Sequence, residues 1–334
     1  MSNEPSPNSI TRRTAITSAL AASATAAIAD ASQLQPQPDT RRQSPRRYQM
    51  KKSINLWAFP YPERMNLREC LQLARNAGFD GIELNYDLDN DLSPRATAKE
   101  LRAIRAMAEK IGIAISGVCS FLFWPYPLSS NDPMKRQRGL DLAGQMIAAA
   151  SELGTDNLLC VPGAVHIPWR TDHEPVPNDV CDRRARDAVT RLLPAAEKAR
   201  VHLNIENIFF NGYLMTPQEM IAFVDSFKSR YVKVHFDTGN IMLFQFPEHW
   251  IAQLGDRIKN THFKEFSKKG TDHSLESFRT LLDGTTNWPA VMEALDKVGY
   301  RDWCTFEYFH PFTHYPEALI YQTNDALDRI LGRK

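Results

Sequence analysis

Four residues of metal-binding types stand at the ends of short apolar runs in the C-terminal half of the sequence. They are Glu206 in NIEN, Asp237 in HFDTG, His262 in NTHFK and Glu307 in TFEYF. Three carboxylates that met at one point would repel each other and shift their pKa values unless a cation neutralised them. Oxygen ligands with one imidazole suit Mn²⁺, Mg²⁺ or Co²⁺, with Zn²⁺ and Fe²⁺ as further candidates, whereas a soft-metal site would use thiolates. If the fold brings them together, these residues predict one bound divalent metal ion.

Strand-like and helix-like segments alternate from Lys52 onward, and this alternation predicts how the four residues are positioned. The strand candidates cover residues 53–59, 81–85, 113–119, 156–161, 202–207, 232–237, 258–263 and 303–308. Eight strands alternating with helices over about 280 residues are typical of a (β/α)₈ TIM barrel. A doubly wound open sheet, the main alternative, usually has fewer strands and often a glycine-rich phosphate loop, which this sequence lacks. In a barrel, the C-terminal ends of the strands share one rim, where the four residues would converge.

Polar and apolar residues alternate in two of these strands. The polar positions of HLNIE end on Glu206 and those of VKVHFD end on Asp237, while the intervening positions are all apolar. Alternate residues of a strand point to opposite faces, so the apolar set would pack under helices and the polar set would point into the barrel. Barrel interiors are usually apolar, so a polar interior indicates a functional site.

The first fifty residues differ from the rest of the chain. Arg12 and Arg13 precede a weakly apolar, alanine-rich run that ends in Ala29-Asp30-Ala31, a pattern typical of a twin-arginine export signal and its cleavage site. A Pro/Gln/Arg-rich stretch follows, which we expect to be a disordered linker. The sequence predicts a leader and linker over residues 1–50, a barrel over 51–334, and an exported protein. The alternative is a cytoplasmic protein whose N-terminal tail is not a signal.

The bulk composition excludes several classes of protein. The 334 residues carry 40 Lys and Arg against 39 Asp and Glu, so the formal net charge of +1 gives no electrostatic case for a nucleic-acid partner. The five cysteines form no C-x-x-C pair, which argues against a disulfide framework or a zinc knuckle. After the leader, no segment is apolar enough to predict a stable membrane span. The oligomeric state is not indicated by the sequence.

From Lys52 to the C-terminus the chain resembles the xylose-isomerase-like TIM-barrel sugar isomerases and epimerases. The motifs FDTGN and THFKEF, with SINLWAFP and GFDGIELN earlier, are most similar to the L-ribulose/L-xylulose-5-phosphate 3-epimerase branch, also described as hexulose-6-phosphate isomerase-like. The resemblance implies that Glu206, Asp237, His262 and Glu307 bind one divalent metal ion. It also implies that both glutamates act as acid and base.

The sequence departs from the epimerases of unphosphorylated ketoses at two positions. Those relatives carry a histidine where Asn240 stands and an arginine where Lys268 stands. Lysine is a point charge and not a bidentate fork, so contacts to the substrate would change. Asn240, Lys264 and Lys268 are our candidates for substrate binding, and Lys264, Lys268 or Lys269 could hold a phosphate. The alternative is that FKEFSKKG is a solvated basic loop.

This constellation suits proton transfer beside a carbonyl group. A metal that binds a ketose acidifies the C–H next to the carbonyl, and two carboxylates on different sides of that carbon permit epimerisation through an enediolate. The sequence therefore predicts a metal-dependent isomerase acting on a sugar or sugar phosphate, most simply by 3-epimerisation. Aldose–ketose isomerisation, a dehydratase or lyase acting on a keto-sugar or cyclitol, and a non-catalytic exported sugar-binding barrel are the alternatives. An abasic-site endonuclease is disfavoured because the chain has few histidines and no basic excess.

Two long loops and six aromatic residues are expected near the same rim. The loops cover residues 162–178 and 264–286, after the fourth and seventh predicted strands, where a lid would lie. The aromatic residues are Trp57, Phe59, Phe121, Phe123, Trp124 and Trp169. Sugars commonly stack on such rings, although packing in the core or a lid would use them equally well.

Overall fold

A computed structural model describes residues 47–270 and 273–334, which form a closed barrel of eight parallel strands. The strands are β1 (Lys51–Asn55), β2 (Gly81–Asn85), β3 (Ala114–Cys119), β4 (Asn157–Cys160), β5 (His202–Glu206), β6 (Val232–Asp237), β7 (Ile258–Phe263) and β8 (Trp303–Phe306). The α-helices that follow them are α1 (Leu67–Ala77), α2 (Ala98–Ile111), α3 (Pro133–Leu153), α4 (Asn178–Ala199), α5 (Pro217–Asp225), α6 (Pro247–Leu254), α7 (Trp288–Lys297) and α8 (Pro316–Ile330). Each strand pairs with its neighbours in the chain, and β1 closes the ring against β8. The prediction of a (β/α)₈ barrel is confirmed.

The predicted export signal and most of the linker after it, residues 1–46, lie outside the described residues. Over the part of the chain that the structure describes, every helix is too short or too polar to cross a bilayer.

Local sequence signals set the ends of several helices. At the start of α1, Glu69 N–H donates to the Asn66 side chain at 3.1 Å and Asn66 N–H donates back to the Glu69 carboxylate at 2.8 Å. Thr216 and Glu219 form the same reciprocal pair at the start of α5. Such capping boxes satisfy backbone donors that the first helical turn leaves unpaired. At the end of α1, Gly78 has a φ of 104°, a left-handed conformation that glycine adopts without strain.

The apolar faces of the strands pack beneath the helices. Leu203 and Ile205 of β5, and Val234 and Phe236 of β6, are fully buried. The ring of Phe236 stacks on Trp250 of α6, with centroids 6.0 Å apart. Full burial of a large apolar side chain contributes about 1.5–3 kcal/mol. This packing fixes which face of each strand points outward, and so leaves the polar residues facing the interior.

The barrel interior is polar, as the alternation predicts. Asn204 Nδ2 donates to Asn157 Oδ1 at 3.0 Å, and Asn157 Nδ2 donates to the carbonyl of Ser116 at 3.0 Å. The Ser116 hydroxyl meets that of Ser53 at 2.6 Å, so this layer joins β5, β4, β3 and β1. His235 of β6 is also buried, and neither of its ring nitrogens has a hydrogen-bond partner among the described residues.

Two strands end at least two residues before their predicted ends. β1 ends at Asn55, whose side chain accepts the N–H of Trp57 at 2.8 Å and so begins a 3₁₀ turn at residues 56–58. The prediction of a strand to residue 59 is therefore wrong, because the asparagine side chain replaces the next ladder partner. β8 ends at Phe306, one residue before Glu307. Glu307 thus lies one residue beyond Phe306, the last residue of β8 that pairs with the neighbouring strands.

The opposite end of the barrel is closed by a buried ion pair. Lys52 Nζ lies 2.6 Å from Asp328 Oδ1 and donates to Asn324 Oδ1 at 2.7 Å. Lys52 belongs to β1, whereas the other two residues belong to α8. These contacts hold the last helix against the first strand.

A second, more exposed cluster links four strands at that end. Asp156 lies 3.2 Å from Lys259 Nζ and 3.3 Å from His202 Nδ1, and Lys259 also reaches Asp302 at 3.0 Å. Partial burial alone would raise the pKa of Asp156, but the contacts to His202 and Lys259 bring it down to about 2.

Candidate metal and sugar site

The strand ends bring the four predicted metal ligands together. Across β6 and β7, Asp237 lies opposite His262, while Glu206 ends β5 and Glu307 directly follows β8. His262 Nδ1 lies 3.5 Å from Glu307 Oε1, 3.7 Å from Glu206 Oε1 and 4.0 Å from Asp237 Oδ2. One ligand atom from each residue falls within 4.8 Å of all the others, and all four side chains are buried.

The turn after Asp237 orients its carboxylate. Asp237 Oδ1 accepts the N–H groups of Gly239 and Asn240, both at 2.8 Å, whereas Oδ2 accepts no hydrogen bond. The hydroxyl of Thr238 donates to the carbonyl of Lys264 at 2.9 Å and accepts its N–H at 3.0 Å. A Cβ on Gly239 would lie 2.9 Å from that carbonyl, so only glycine fits there. The D-T-G-N sequence therefore holds one carboxylate oxygen and leaves the other facing the site.

Glu83 of β2 orients His262 from below. His262 Nε2 lies 2.6 Å from Glu83 Oε2, which also accepts Asn55 Nδ2 at 2.6 Å. A proton on Nε2 that Glu83 accepts would leave Nδ1 to bind a metal ion, and Nδ1 has no hydrogen-bond partner among the described residues. Without metal, burial would lower the pKa of His262, but Glu83 and Glu307 raise it well above its usual range. This role of Glu83 was not predicted from the sequence. A charge inside GIELN, between outward-facing Ile82 and Leu84, was the available signal.

The four residues fit a divalent cation. Asp237 Oδ2 and His262 Nδ1 are buried polar atoms without hydrogen-bond partners, and such atoms are costly unless something binds them. The Lys264 ammonium contacts Glu307 and lies 3.5 Å from Asp237, and with Glu206 nearby the three carboxylates exceed this one ammonium in charge. Carboxylate oxygens and one imidazole nitrogen form a set suited to Mn²⁺, Mg²⁺, Co²⁺ or Zn²⁺.

The two glutamates have different proton affinities. Burial raises the pKa of Glu206 to about 7, with a further contribution from the charge of Glu307 and opposition from His262. Burial likewise raises the pKa of Asp237 to about 6. Burial would also raise the pKa of Glu307, but the Lys264 ammonium and His262 hold it well below its usual range. Carboxyl groups whose environments separate their pKa values are a common arrangement for acid–base catalysis.

Two of the three predicted substrate-binding residues lie beside the candidate metal ligands. Lys264 Nζ contacts Glu307 Oε2 and lies 3.5 Å from Asp237 Oδ2, with the side chain buried. Asn240 Nδ2 donates to the carbonyl of Asn207 at 3.0 Å and lies 3.4 Å from Glu206 Oε1. The structure therefore brings Asn240 and Lys264 into the site.

Lys268 points elsewhere. Its Nζ donates to the carbonyl of Gln245 at 3.1 Å and lies 3.8 Å from the centre of the Phe246 ring. It is not among the residues that line the cavity above the metal ligands.

An open cavity of about 260 Å³ lies above the four ligands. Its floor is polar and contains Ser120, Glu206, Asn240, Lys264 and Glu307, whereas its walls are aromatic and include Trp57, Phe121, Trp124, Trp169, Phe209 and Phe309. Four of the six aromatic residues expected at the rim thus line the cavity. Phe59 and Phe123 are each only 2% exposed and pack in the core instead. The loop over 162–178 contributes Trp169.

Comparisons with known proteins agree with this fold. Residues 71–328 match the model of the xylose isomerase-like TIM barrel family. The chain is 28% identical to L-ribulose 3-epimerase of Mesorhizobium japonicum over 252 residues, which cover 73% of this chain and 75% of that protein. It is 22% identical to L-ribulose-5-phosphate 3-epimerase of Escherichia coli K12 over 273 residues, covering 79% and 91%.

Among solved structures, a D-psicose 3-epimerase crystallised with D-fructose superposes with a TM-score of 0.68. It is 20% identical, and the match covers 85% of this chain and all of that one. At this identity the likeness concerns the fold. The two sequence relatives are named as epimerases, which confirms the prediction of a carbohydrate isomerase at the level of enzyme class. The chain belongs to the xylose isomerase-like TIM barrel family.

Proposed function

We propose that this protein is a divalent-metal-dependent sugar epimerase that moves a proton at the carbon beside the carbonyl of a ketose, most simply at C3. The observation that carries the proposal is the pair Glu206 and Glu307, two buried carboxylates in one cluster that fits a metal ion and opens into a cavity. The names of the sequence relatives support the coarser assignment to sugar isomerases and epimerases.

Glu206 and Glu307 would act as the two proton-transfer groups. The bound metal would act as a Lewis acid that acidifies the C–H next to the substrate carbonyl. Glu206 and Glu307 come from β5 and β8, so they approach the cavity floor from different sides. In the metal-free site, burial raises the pKa of Glu206 whereas the Lys264 ammonium lowers that of Glu307, so the two carboxyl groups are not equivalent. One group removes the proton and the other returns one to the opposite face, which inverts the carbon.

Asn240 and Lys264 are positioned to hold the substrate. Their side-chain nitrogens lie beside Glu206 and Glu307 respectively, and both line the cavity floor. An amide and an ammonium at the floor can donate to the carbonyl and hydroxyl oxygens of a sugar. Lys264 would also stabilise the negative charge that develops on the carbonyl oxygen when the proton leaves.

The proposal is tested by turnover in D₂O with Mn²⁺ restored and a panel of free and phosphorylated ketoses. Solvent deuterium should appear on the carbon next to the carbonyl. Glu206→Gln and Glu307→Gln should each lower turnover by about 10²–10⁴-fold, because glutamine keeps the shape and an oxygen but cannot accept a proton. Glu109→Gln, on an exposed face of α2, is the matched control, and metal content is measured for every variant.

Near-normal turnover in both active-site variants would overturn the two-carboxylate mechanism. Product that contains no solvent deuterium would favour a hydride shift between adjacent carbons. A product lighter by one water would favour the dehydratase alternative. Binding without any conversion, at full metal content, would favour a sugar-binding barrel.

A further inference from the structure

The cavity walls form a continuous aromatic surface that begins at the polar floor. Lys264 Nζ lies 4.5 Å from the ring centre of Phe309. The Phe309 ring lies 5.4 Å from both Trp57 and Phe121, and these two stack at 3.9 Å. Phe121, at the outer end, is 38% exposed. An aromatic surface left open to a cavity is typical of a binding site for an apolar face.

A second pair of rings lines the same cavity. Trp124 and Trp169 meet edge to face with their centroids 5.1 Å apart, and Trp169 is 37% exposed. Trp169 lies in the long loop after β4, whereas Trp57 and Phe121 follow β1 and β3. Rings from three separate loops therefore line the space above the metal ligands.

The cavity offers little that would bind a phosphate. Among the described residues that line it, Lys264 has the one ammonium group, and this contacts Glu307 and lies 3.5 Å from Asp237. Lys268 points away toward Gln245. Lys264 and His310 are the only basic side chains among the described residues of the lining, so a phosphate above the floor would lie mainly among aromatic rings and carboxylates.

The cations in the neighbouring cavity are also paired with a carboxylate. That cavity shares Trp124 with the first and contains Arg170 and Lys135. Both are paired with Asp172, Arg170 at 2.8 Å and Lys135 at 3.7 Å. Asp132 and Glu174 line the same cavity, so it holds more carboxylates than these two cations and offers no excess of positive charge to a phosphate.

We propose that the substrate is an uncharged hydroxyketone sugar that carries a ring substituent, with the hydroxyketone at the polar floor and the ring stacked between the aromatic walls. This inference rests on the proposed function, and it adds the substrate class. The shared chemistry is a flat, uncharged face, which either an aryl group or the C–H face of a second sugar ring presents. A free monosaccharide would leave most of the walls uncovered.

The test uses four probes that differ only at O6 of the same ketose. They are D-fructose, D-fructose 6-phosphate, isomaltulose, which carries a glucosyl group, and 6-O-benzyl-D-fructose. The full chain with Mn²⁺ restored is used to measure Kd by calorimetry and deuterium incorporation from D₂O as kcat/KM. Both ring-bearing probes should bind at least about tenfold more tightly than D-fructose and should react with at least about tenfold higher kcat/KM. D-fructose 6-phosphate should show neither gain.

Phe121→Ala should reduce that preference about tenfold, because it removes the outer part of the aromatic wall. Tyr321→Ala, which removes an exposed ring of α8 that does not line the cavity, is the matched control and should leave the preference unchanged. The better of the two ring-bearing probes identifies the substituent as aryl or carbohydrate.

The outcomes separate this inference from the proposed function. If D-fructose 6-phosphate is the best probe, or if neither ring-bearing probe binds better than D-fructose, the substrate class is wrong even though deuterium exchange occurs. If the ring-bearing probes bind best and lose this advantage in Phe121→Ala, but no probe exchanges deuterium, the ring preference stands and the epimerase function fails.

Discussion

Glu83 should determine how tightly the cluster of four candidate ligands binds a metal ion, although it is not itself one of them. Its carboxylate lies 2.6 Å from His262 Nε2, and both side chains are at most 1% exposed. We consider two substitutions. Glu83→Gln keeps an oxygen that accepts the Nε2 proton but removes the charge, whereas Glu83→Leu removes the acceptor altogether.

The structure indicates the size of each effect. Loss of a hydrogen-bonding partner behind a metal-bound histidine typically weakens metal binding about 10–100-fold, or roughly 1.4–2.7 kcal/mol. Glu83→Leu should lie near the upper value because it leaves His262 Nε2 buried and without its acceptor, free to take the other tautomer. Glu83→Gln should lie near the lower value. The Asn55 amide donates to Glu83 Oε2 at 2.6 Å, and of the two variants only Glu83→Gln keeps an oxygen that can accept this hydrogen bond.

The assay is competition for Mn²⁺ against a chelator of known affinity, with thermal unfolding used to select conditions in which every variant is folded. Glu109→Gln is the control for loss of a carboxylate elsewhere. Imidazole ¹⁵N shifts of His262 give a second reading, because Glu83→Leu should change the tautomer ratio of this one residue. Wild-type metal affinity in Glu83→Leu, with an unchanged tautomer, would refute the argument.

Three further predictions concern the rest of the chain. Lys52→Met should lower the free energy of unfolding in urea by about 3 kcal/mol, because it leaves Asp328 buried without its main partner; adding Asp328→Asn should recover part of the loss. Asp156→Asn should cost about 1 kcal/mol near neutral pH, allowing for its partial exposure, and most of this cost should be gone at pH 2. The folded pKa of about 2 lies below the unfolded value of about 3.9, so the stabilisation is complete above pH 4 and is lost as the pH falls through 2; a pH-independent difference would contradict this. Finally, we propose that the chain is exported. N-terminal sequencing should show cleavage after Ala29-Asp30-Ala31, and replacing both Arg12 and Arg13 with lysine should retain the protein in the cytosol. A wild-type protein found in the cytosol with an intact N-terminus would count against export.

The four candidate metal ligands could be predicted because each stands within one residue of the end of a strand in a parallel barrel. Strand alternation gives the face on which Glu206 and Asp237 lie, and the common rim gives their convergence. The role of Glu83 could not be predicted in the same way. Alternation places its side chain inside the barrel, but only the register of Asn55 opposite Glu83, and the reach across the interior to His262, identifies its partners.

The direction of the loop after β7 could not be read from its composition. Glu265, which is 1% exposed, accepts the N–H of Leu282 at 3.1 Å, the N–H of Thr286 at 3.1 Å and Trp288 Nε1 at 2.7 Å. These long-range contacts tie the loop back on itself and carry Lys268 away from the cavity. A lysine-rich stretch gives no indication of such contacts, because they depend on residues about twenty positions further along the chain.

The placement of Lys264 has a consequence for how metal binding and folding are coupled. Its ammonium acts as an internal counterion for Glu307 and Asp237, so the barrel should fold and persist in the absence of metal. Chelation should then abolish turnover and lower the melting temperature, but it should leave the barrel folded. Lys264→Met would reverse this relation. The metal-free protein would have to bury uncompensated carboxylates, at a cost of about 3–5 kcal/mol, and it would depend on its metal for stability as well as for chemistry.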